Sequence, residues 1–289
     1  MSEFEKMFRS NSDPPTFGGG STVPVATYLL TIVVLSGLIL VSPSASPPPL
    51  LGTAWGVFLV ALALGASKIE GVDPRSIFPS VRTLVPVVVT LGAFWAAYNL
   101  LAVGFAVGGV PGFEMTPSSA AAHPVRYLAV LLGSVLFTAI PEESLFRAYL
   151  QEKFVSLAGG GSRRAVVTGI GVATVLFALF HLPRWFLASG HGIGTSLAAR
   201  LLGLVLVGLT YGIAYALTGN LWLVALFHAT MNHPPFLVTV SYPPDLHLFV
   251  GVVESAAIVT VVYAAVRLVD PEGAALGGFQ RGTSSAPGE

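Results

Sequence analysis

The sequence predicts an all-α protein, a polytopic transmembrane helical bundle of about eight spans. Charged residues make up 10% of the 289 positions and hydrophobic residues 54%, whereas charged residues account for about 25% of an ordinary soluble domain. The mean hydropathy is +0.79. A chain this poor in charge cannot cover a water-soluble surface, so most of its exterior is expected to face lipid.

Uncharged stretches long enough to cross a bilayer recur along the chain. About 20 apolar residues span the hydrocarbon core, and residues 23–41, 50–67 and 83–113 meet this requirement without any charge. Proline and glycine clusters separate these spans from the others. The five further spans are expected at residues 125–140 (continuing as a more polar helix to 155), 165–182, 198–217, 221–232 and 246–268.

The two ends differ in composition from the middle of the chain. Residues 1–21 and 270–289 are rich in Gly, Pro and Ser. Because they contain few apolar residues, they are predicted to be flexible tails. Residues 22–269 are expected to form the transmembrane domain, with a motif-bearing core at about 125–235. Because the first 20 residues lack the order of a signal peptide, the first span is expected to be a retained anchor.

The positive charges predict the orientation. With the N-terminus inside, only Arg126, Arg184 and Arg200 of the 14 Lys and Arg residues fall outside, while Lys153 and the rest lie on inner segments. Positive residues favour the cytoplasmic side. The expectation is an integral, multi-pass cell-membrane protein with both termini in the cytoplasm.

Charge and cysteine content exclude several classes of function. The formal net charge is +0 at pH 7, and without a basic arm no nucleic-acid partner is expected. The chain has no cysteine, which excludes a thiol nucleophile, disulfides and thiolate metal sites. It also lacks a His-Glu-x-x-His zinc signature, a Gly-x-Ser-x-Gly elbow and a phosphate-binding glycine loop. No cofactor is expected.

Three polar motifs interrupt the apolar spans, where ionisable side chains are costly and commonly functional. On a helix, Glu143 and Arg147 are four residues apart and can pair, whereas Glu142 points about 100° away. This division predicts one structural acid and one chemical acid. The motifs are Glu142-Glu143-x-x-x-Arg147, Phe177-x-x-x-His181 and His228-x-x-x-Asn232.

The spacing of the motifs predicts that they lie at similar depth. If residues 142–181 form a helical hairpin that turns near Gly161, a rise of about 1.5 Å per residue brings Glu142 and His181 level within a few ångströms. His228 follows the turn at Gly219 on the same side of the membrane. The three motifs are therefore expected to meet in one layer.

Taken in order, the motifs resemble those of the CAAX-protease and bacteriocin-processing (CPBP) family, which is related to the CAAX prenyl endopeptidase. That family is recognised by Glu-Glu-x-x-x-Arg, Phe-x-x-x-His and His-x-x-x-Asn, each on a separate transmembrane helix. The resemblance covers about residues 125–235, and Ala148 departs from it, since a glycine commonly follows the arginine. It implies an intramembrane glutamate endopeptidase that hydrolyses a lipidated or membrane-associated peptide or protein, prenylated substrates included, among membrane lipids.

Hydrolysis without a nucleophilic side chain needs an activated water, a general base and donors for the developing oxyanion. We assign Glu142 as the general base, with His181 sharing or orienting the water. His228 and the Asn232 amide are expected to face the carbonyl oxygen, a division of roles that the resemblance also implies. The supporting residues are Glu143, Arg147 and Phe177.

Two alternatives stay open at this point. Glu142, His181 and His228 could together hold zinc and leave a position for water, although the resemblance favours metal-free chemistry. The chain could also be a non-catalytic membrane protein of the same fold, such as an immunity factor, scaffold or carrier. Convergence of Glu142, His181, His228 and Asn232 within hydrogen-bond reach of one water, in a cavity that they line, would favour the enzyme. A dispersed arrangement would favour the non-catalytic class.

Overall fold

The computed structural model describes residues 17–42, 48–78 and 81–269. Residues 1–16 and 270–289, which hold most of the two expected tails, lie outside the described residues.

Seven helices in the described part of the chain are long and apolar enough to cross a membrane, which confirms the predicted all-α membrane bundle. Two shorter helices complete the set, α4 (Ser119–Ala122) and α8 (Leu221–Asn232). The seven long helices are α1 (Thr22–Val41), α2 (Pro49–Ile69), α3 (Leu84–Val107), α5 (Pro124–Leu157), α6 (Arg163–Phe180), α7 (Thr195–Thr218) and α9 (His247–Val269).

The outer surface of the bundle is apolar. Large hydrophobic side chains such as Val33 and Leu100 are 66% and 75% exposed. In water such a surface would be unstable, and in a bilayer it faces lipid tails. The protein is therefore an integral, multi-pass membrane protein.

A two-stranded antiparallel sheet, which the sequence analysis did not predict, joins two distant parts of the chain. Strand β1 (Phe113–Pro117) follows α3, and β2 (Val238–Val240) follows α8. Phe113 lies opposite Val240, and the register shifts before Pro117. The side of the bundle that carries this sheet is called the strand face, and the side with the turn between α5 and α6 is called the hairpin face.

The chain makes its eighth passage as a short helix followed by extended backbone. Helix α8 has 12 residues, about 18 Å at the helical rise, which is shorter than a hydrocarbon core of about 30 Å. The chain then runs from residue 233 to β2, which pairs with β1 on the strand face. With this passage the described residues make eight crossings, seven of them by the long helices, and both ends of the described chain lie on the hairpin face.

Glycines with left-handed backbone make the turns on the hairpin face. Gly159, Gly160 and Gly161 have φ values of 101°, 58° and 58°, a region that side chains with a Cβ rarely adopt. Gly219 ends α7 with φ 61°, and the Asn220 side chain caps α8 by accepting from two backbone amides. These turns let α6 and α8 pack beside the helices that precede them.

A buried ion pair joins α5 to the C-terminal end of α2, and Lys153 is its cation. Lys153 is fully buried, and its Nζ lies 2.6 Å from Oε1 of Glu70. The ammonium also donates to the carbonyls of Gly18 and Gly19, at 2.9 and 3.3 Å. Burial of a Lys requires such partners, so Lys153 joins α5, α2 and the segment before α1.

Candidate active site

Glu142 and Glu143 lie on a single α-helical turn between two π-helical stretches of α5. The turn comprises Ile140–Glu143, and the π-helical stretches are Val135–Ala139 and Ser144–Gln151. Local π-helical backbone changes the angular spacing of side chains and is frequent at functional sites. The two carboxylates themselves are adjacent on the α-helical turn, where successive side chains point about 100° apart and so meet different neighbours.

Glu143 is the centre of a buried polar network. One carboxylate oxygen accepts from Nε of Arg147 at 2.9 Å, and the other lies 2.8 Å from Nδ1 of His228. Both side chains of the Glu143–Arg147 ion pair are fully buried. The Arg147 guanidinium also lies 5.2 Å from the centre of the Phe177 ring. The Glu143–Arg147 ion pair that the four-residue spacing predicts is therefore present. It also contacts the other two motifs, through His228 and Phe177.

The Glu143 contact sets the orientation of the His228 ring. An ionised carboxylate can only accept, so Nδ1 of His228 donates the proton of this bond. The opposite nitrogen, Nε2, lies 3.9 Å from Oε2 of Glu142. The ring of Tyr211 stacks on the imidazole at 5.4 Å with an interplanar angle of 23°. His228 therefore bridges the two glutamates, and its Nε2 is directed at Glu142.

His181 directly follows the last residue of α6 and is held by its own helix. Its Nδ1 lies 2.8 Å from the carbonyl oxygen of Phe177, and because a carbonyl only accepts, Nδ1 is the donor. The two rings also meet edge to face at 4.8 Å. In the neutral imidazole this leaves Nε2 as an acceptor, the form that can orient a water molecule.

Glu142, His181, His228 and Asn232 all line one cavity of about 1160 Å³. Glu142 and His228 are buried at 9% and 5% exposure, while the Asn232 side chain is exposed. Among the supporting residues Phe177 also reaches the cavity, whereas the Glu143–Arg147 pair lies behind it. Oε2 of Glu142 and Nε2 of His228, which are 3.9 Å apart, thus share this cavity with His181 and Asn232.

Sequence reasoning did not identify the partners of Glu254 or the position of Tyr211. Glu254, on α9, accepts from the Tyr98 hydroxyl at 2.5 Å, and that hydroxyl lies 2.7 Å from the hydroxyl of Tyr242. An acid within the last span was visible in the sequence, but its tyrosine partner lies 156 positions away. Nothing in the sequence distinguishes Tyr211 from other aromatic residues of α7.

The zinc alternative requires Glu142, His181 and His228 to be arranged as ligands of one metal ion. Within residues 17–42, 48–78 and 81–269, no group of three His, Cys, Asp or Glu side chains is arranged to hold a metal ion. In particular, Glu142, His181 and His228 do not form such a group. Whether the activity needs a metal is tested by removing metal with a chelator.

The segment that builds this site also has a family match. Residues 124–233 match the Rce1-like family, described as type II CAAX prenyl endopeptidases. This segment is Rce1-like. The match includes all three polar motifs and confirms the resemblance to the CPBP family that they indicated. No curated protein and no solved structure matches the chain. The first three helices and α9 lie outside the Rce1-like segment, yet each of α1, α2 and α9 contributes to the cavity wall.

Proposed function

We propose that the protein is an intramembrane endopeptidase in which Glu142 activates water to hydrolyse a peptide bond. The observation that carries the proposal is the unequal environment of the two adjacent glutamates. Glu143 is occupied by Arg147 and His228, whereas Glu142 faces the cavity beside the free nitrogen of His228. The Glu142 carboxylate has only the longer, 3.9 Å contact with Nε2 of His228, so it stays available to act as a base.

In the proposed reaction, Glu142 accepts a proton from a water molecule that the Nε2 atom of His181 also holds. The water oxygen forms a bond to the carbonyl carbon, and the carbonyl oxygen acquires the negative charge. Glu142 then gives its proton to the amide nitrogen as the carbon–nitrogen bond breaks. The products are a carboxylic acid and an amine, and no external oxidant, reductant or covalent intermediate is needed.

The developing oxyanion is assigned to Asn232 and His228. The Asn232 amide supplies N–H donors from the cavity wall, and donors preorganised for such a charge contribute strongly to catalysis. His228 donates through Nε2 when its ring carries both protons, and the Glu143 carboxylate provides the counter-charge for that form. Arg147 in turn holds Glu143. The supporting residues thus act by positioning His228.

Lipidated or membrane-associated substrates fit the walls of the cavity best. Beside the polar residues it is lined by apolar side chains of α1, α2 and α5, including Leu35, Ile39, Trp55 and Phe137. A pocket with a mostly apolar wall and few polar groups is typical of a site for a partly apolar ligand. We further propose that both termini, and with them the hairpin face, lie in the cytoplasm.

The test is cleavage of prenylated and unprenylated C-terminal peptides by purified protein reconstituted in lipid. Glu142→Gln removes the base but keeps the side-chain shape, and we expect a loss of at least about 100-fold in rate. Glu114→Gln, at an exposed acid of β1, is the matched control and should cleave like wild type. Equal rates for wild type and Glu142→Gln would reject the mechanism. Cleavage by neither protein would favour the non-catalytic alternative.

A further inference from the structure

An acid that the proposed reaction does not use faces the cavity from α9. Glu254 lies on this helix, outside the Rce1-like segment, and lines the cavity together with Glu142. His247 and Gly251, seven and three positions earlier, line the same cavity, as residues on one face of a helix do. The wall that α9 contributes therefore carries a carboxylate.

Two tyrosines hold one oxygen of this carboxylate. The Tyr98 hydroxyl donates to Oε1 of Glu254 at 2.5 Å, and it lies 2.7 Å from the Tyr242 hydroxyl. A hydroxyl has a single proton to donate, so Tyr242 is the donor of the second bond. The chain of donors runs from Tyr242 through Tyr98 to Glu254, and it fixes the orientation of the carboxylate.

The other oxygen of Glu254, Oε2, is left for a ligand. Within residues 17–42, 48–78 and 81–269 it accepts no hydrogen bond, and no Lys, Arg or His forms an ion pair with Glu254. It is not one of the buried side-chain oxygens that lack a partner, so it is accessible, and the cavity is the space that Glu254 lines. An acid within a membrane span is costly and commonly functional.

Glu254 lies at nearly the same depth as the histidine of the third motif. Helices α7 and α9 both run from the strand face to the hairpin face, and a Cβ at Gly251 would lie 3.7 Å from the Leu206 side chain. Glu254 follows Gly251 by three positions and Tyr211 follows Leu206 by five, so their depths differ by only about 3 Å. Tyr211 stacks on His228. A group bound to Glu254 is therefore level with the catalytic residues.

The arginines that line the cavity lie farther toward the strand face. Arg200 precedes Leu206 by six positions, which puts it about 13 Å of helical rise from the level of Glu254. Arg184 follows the end of α6, a helix that runs toward the strand face. A cation bound at Glu254 is therefore closer to the carboxylate than to the guanidinium of Arg200, and attraction outweighs repulsion.

We propose that Glu254 is a subsite for a positively charged side chain of the substrate, a Lys or Arg near the cleaved bond. The inference rests on the proposed endopeptidase function and adds a specificity-determining residue to it. Oε2 can accept from an ammonium or a guanidinium, and such charge-assisted bonds are strong. Because Glu254 is level with His228 and an extended peptide covers about 3.3 to 3.6 Å per residue, the basic residue lies only a few positions from the bond that Glu142 attacks.

The test uses pairs of peptides that differ at one position, where one has Lys and the other has norleucine, which is similar in shape but uncharged. The pair is moved through the positions beside the cleaved bond. Wild type should prefer Lys at one or more positions by about tenfold or more in kcat/KM, the scale of a hydrogen bond to a charged group. The difference should lie in KM, because the contact binds substrate and transition state alike.

Three variants test the assignment to Glu254. Glu254→Gln keeps the side-chain shape and should remove the preference without changing cleavage of the norleucine peptide. Glu254→Lys reverses the charge and should make a peptide with Glu at that position the better substrate. Tyr98→Phe removes the donor to Oε1 and should reduce the preference for Lys. Asp245→Asn is the matched control, because this acid is exposed just before α9 and lies outside the cavity wall; it should keep the full preference.

Three results would overturn the subsite and leave the peptidase intact. The first is equal cleavage of every Lys and norleucine pair by wild type, and the second is a preference that survives Glu254→Gln. The third is a fall in kcat on both peptides of a pair in Glu254→Gln, which would indicate proton transfer instead of substrate binding.

A lipid ammonium has the same chemistry, so the assays use phosphatidylglycerol vesicles with and without phosphatidylethanolamine. The preference for Lys should be present in both kinds of vesicle. Inhibition by phosphatidylethanolamine that depends on Glu254, with no preference among the peptides, would assign the site to lipid headgroups and overturn the proposal.

Binding to Glu142→Gln separates this inference from the proposed chemistry. This variant should bind at least one Lys peptide about tenfold or more tightly than its norleucine partner, whether or not wild type cleaves it. The double variant Glu142→Gln with Glu254→Gln should bind the two equally. Equal dissociation constants for every pair in the single variant would reject the subsite. If that variant binds no peptide and wild type cleaves none, the proposed function fails, and the subsite fails with it.

Discussion

Nδ1 of His228 lies 2.8 Å from Oε1 of Glu143, a contact between side chains 85 positions apart. It joins α8 to the α-helical turn of α5 that lies between the two π-helical stretches, and it directs the other ring nitrogen toward Glu142. Two adjacent glutamates of the same charge thereby acquire different roles. One orients a histidine, and the other faces the cavity.

The buried Glu143–Arg147 pair should matter for stability as well as activity. Glu143→Ala leaves the Arg147 charge buried without its partner, and breaking a buried pair in this way costs about 3 to 5 kcal/mol. The double variant Glu143→Leu with Arg147→Met should recover much of the unfolding midpoint in detergent but none of the activity. Arg163→Met, at an exposed cation, is the control. A Glu143→Ala protein as stable as wild type would contradict the prediction.

Asn232→Ala should reduce turnover without disturbing the fold. The side chain is exposed to the cavity, so its loss removes a donor for the oxyanion and no core packing. We expect kcat to fall by about 10²- to 10³-fold, as for removal of one such donor, with a nearly unchanged KM. The thermal midpoint serves as the control and should match wild type. A rise in KM at constant kcat would instead assign Asn232 to substrate binding.

Lys153→Met should destabilise the protein far more than Lys68→Met. Lys153 is buried against Glu70, whereas Lys68 is exposed in the last turn of α2, two positions before Glu70. The first substitution leaves the Glu70 carboxylate unpaired in the interior, at a cost of about 3 to 5 kcal/mol. Thermal unfolding of both variants measures the difference. Similar midpoints would show that the buried pair contributes little.

Peptide cleavage should persist after metal removal. The proposed reaction uses Glu142 and His181 without a metal, so dialysis against a chelator is expected to change the rate less than about twofold, well short of the losses that follow removal of a metal. Elemental analysis of the same sample measures the residual metal. Loss of activity that added Zn²⁺ restores would favour the zinc alternative.

Labelling of single cysteines should place the two faces on opposite sides of the membrane. The sequence contains no cysteine, so each introduced thiol is the sole target. Ala158→Cys, exposed on the hairpin face, and Ser119→Cys, exposed in α4 beside the sheet, form a matched pair. An impermeant reagent applied to intact cells should label only Ser119→Cys, because the hairpin face is proposed to be cytoplasmic. The opposite result would reverse the orientation.

Composition and the ordered motifs predicted most of the architecture. Lipid requires apolar helices, so all eight passages were predicted from hydrophobic stretches, and seven of them are helices long enough to cross a membrane. The spacing of Glu143 and Arg147 also predicted their ion pair, because helical neighbours depend only on local geometry. Glu142 and His181 share one cavity, as the hairpin count suggested.

Contacts between distant segments could not be predicted in the same way. The stacking of Tyr211 on His228 and the pairing of Lys153 with Glu70 depend on how helices pack, and neither leaves a periodic signal. The sequence predicted only that Lys153 lies on an inner segment, because its partner Glu70 is far away along the chain. The strands were missed because β1 and β2 have five and three residues, too few for an alternating pattern to be distinguished.

The strand pair has a consequence for chain connectivity. Strand β1 ends just before the Rce1-like segment and β2 begins just after it, at residues 117 and 238. Their backbone hydrogen bonds therefore tie the two ends of that segment together and close it into a ring. All three motifs lie on this ring, and α1, α2, α3 and α9 surround it. A cut in the loop between β2 and α9 would leave the ring closed, whereas a cut between β1 and α5 would open it.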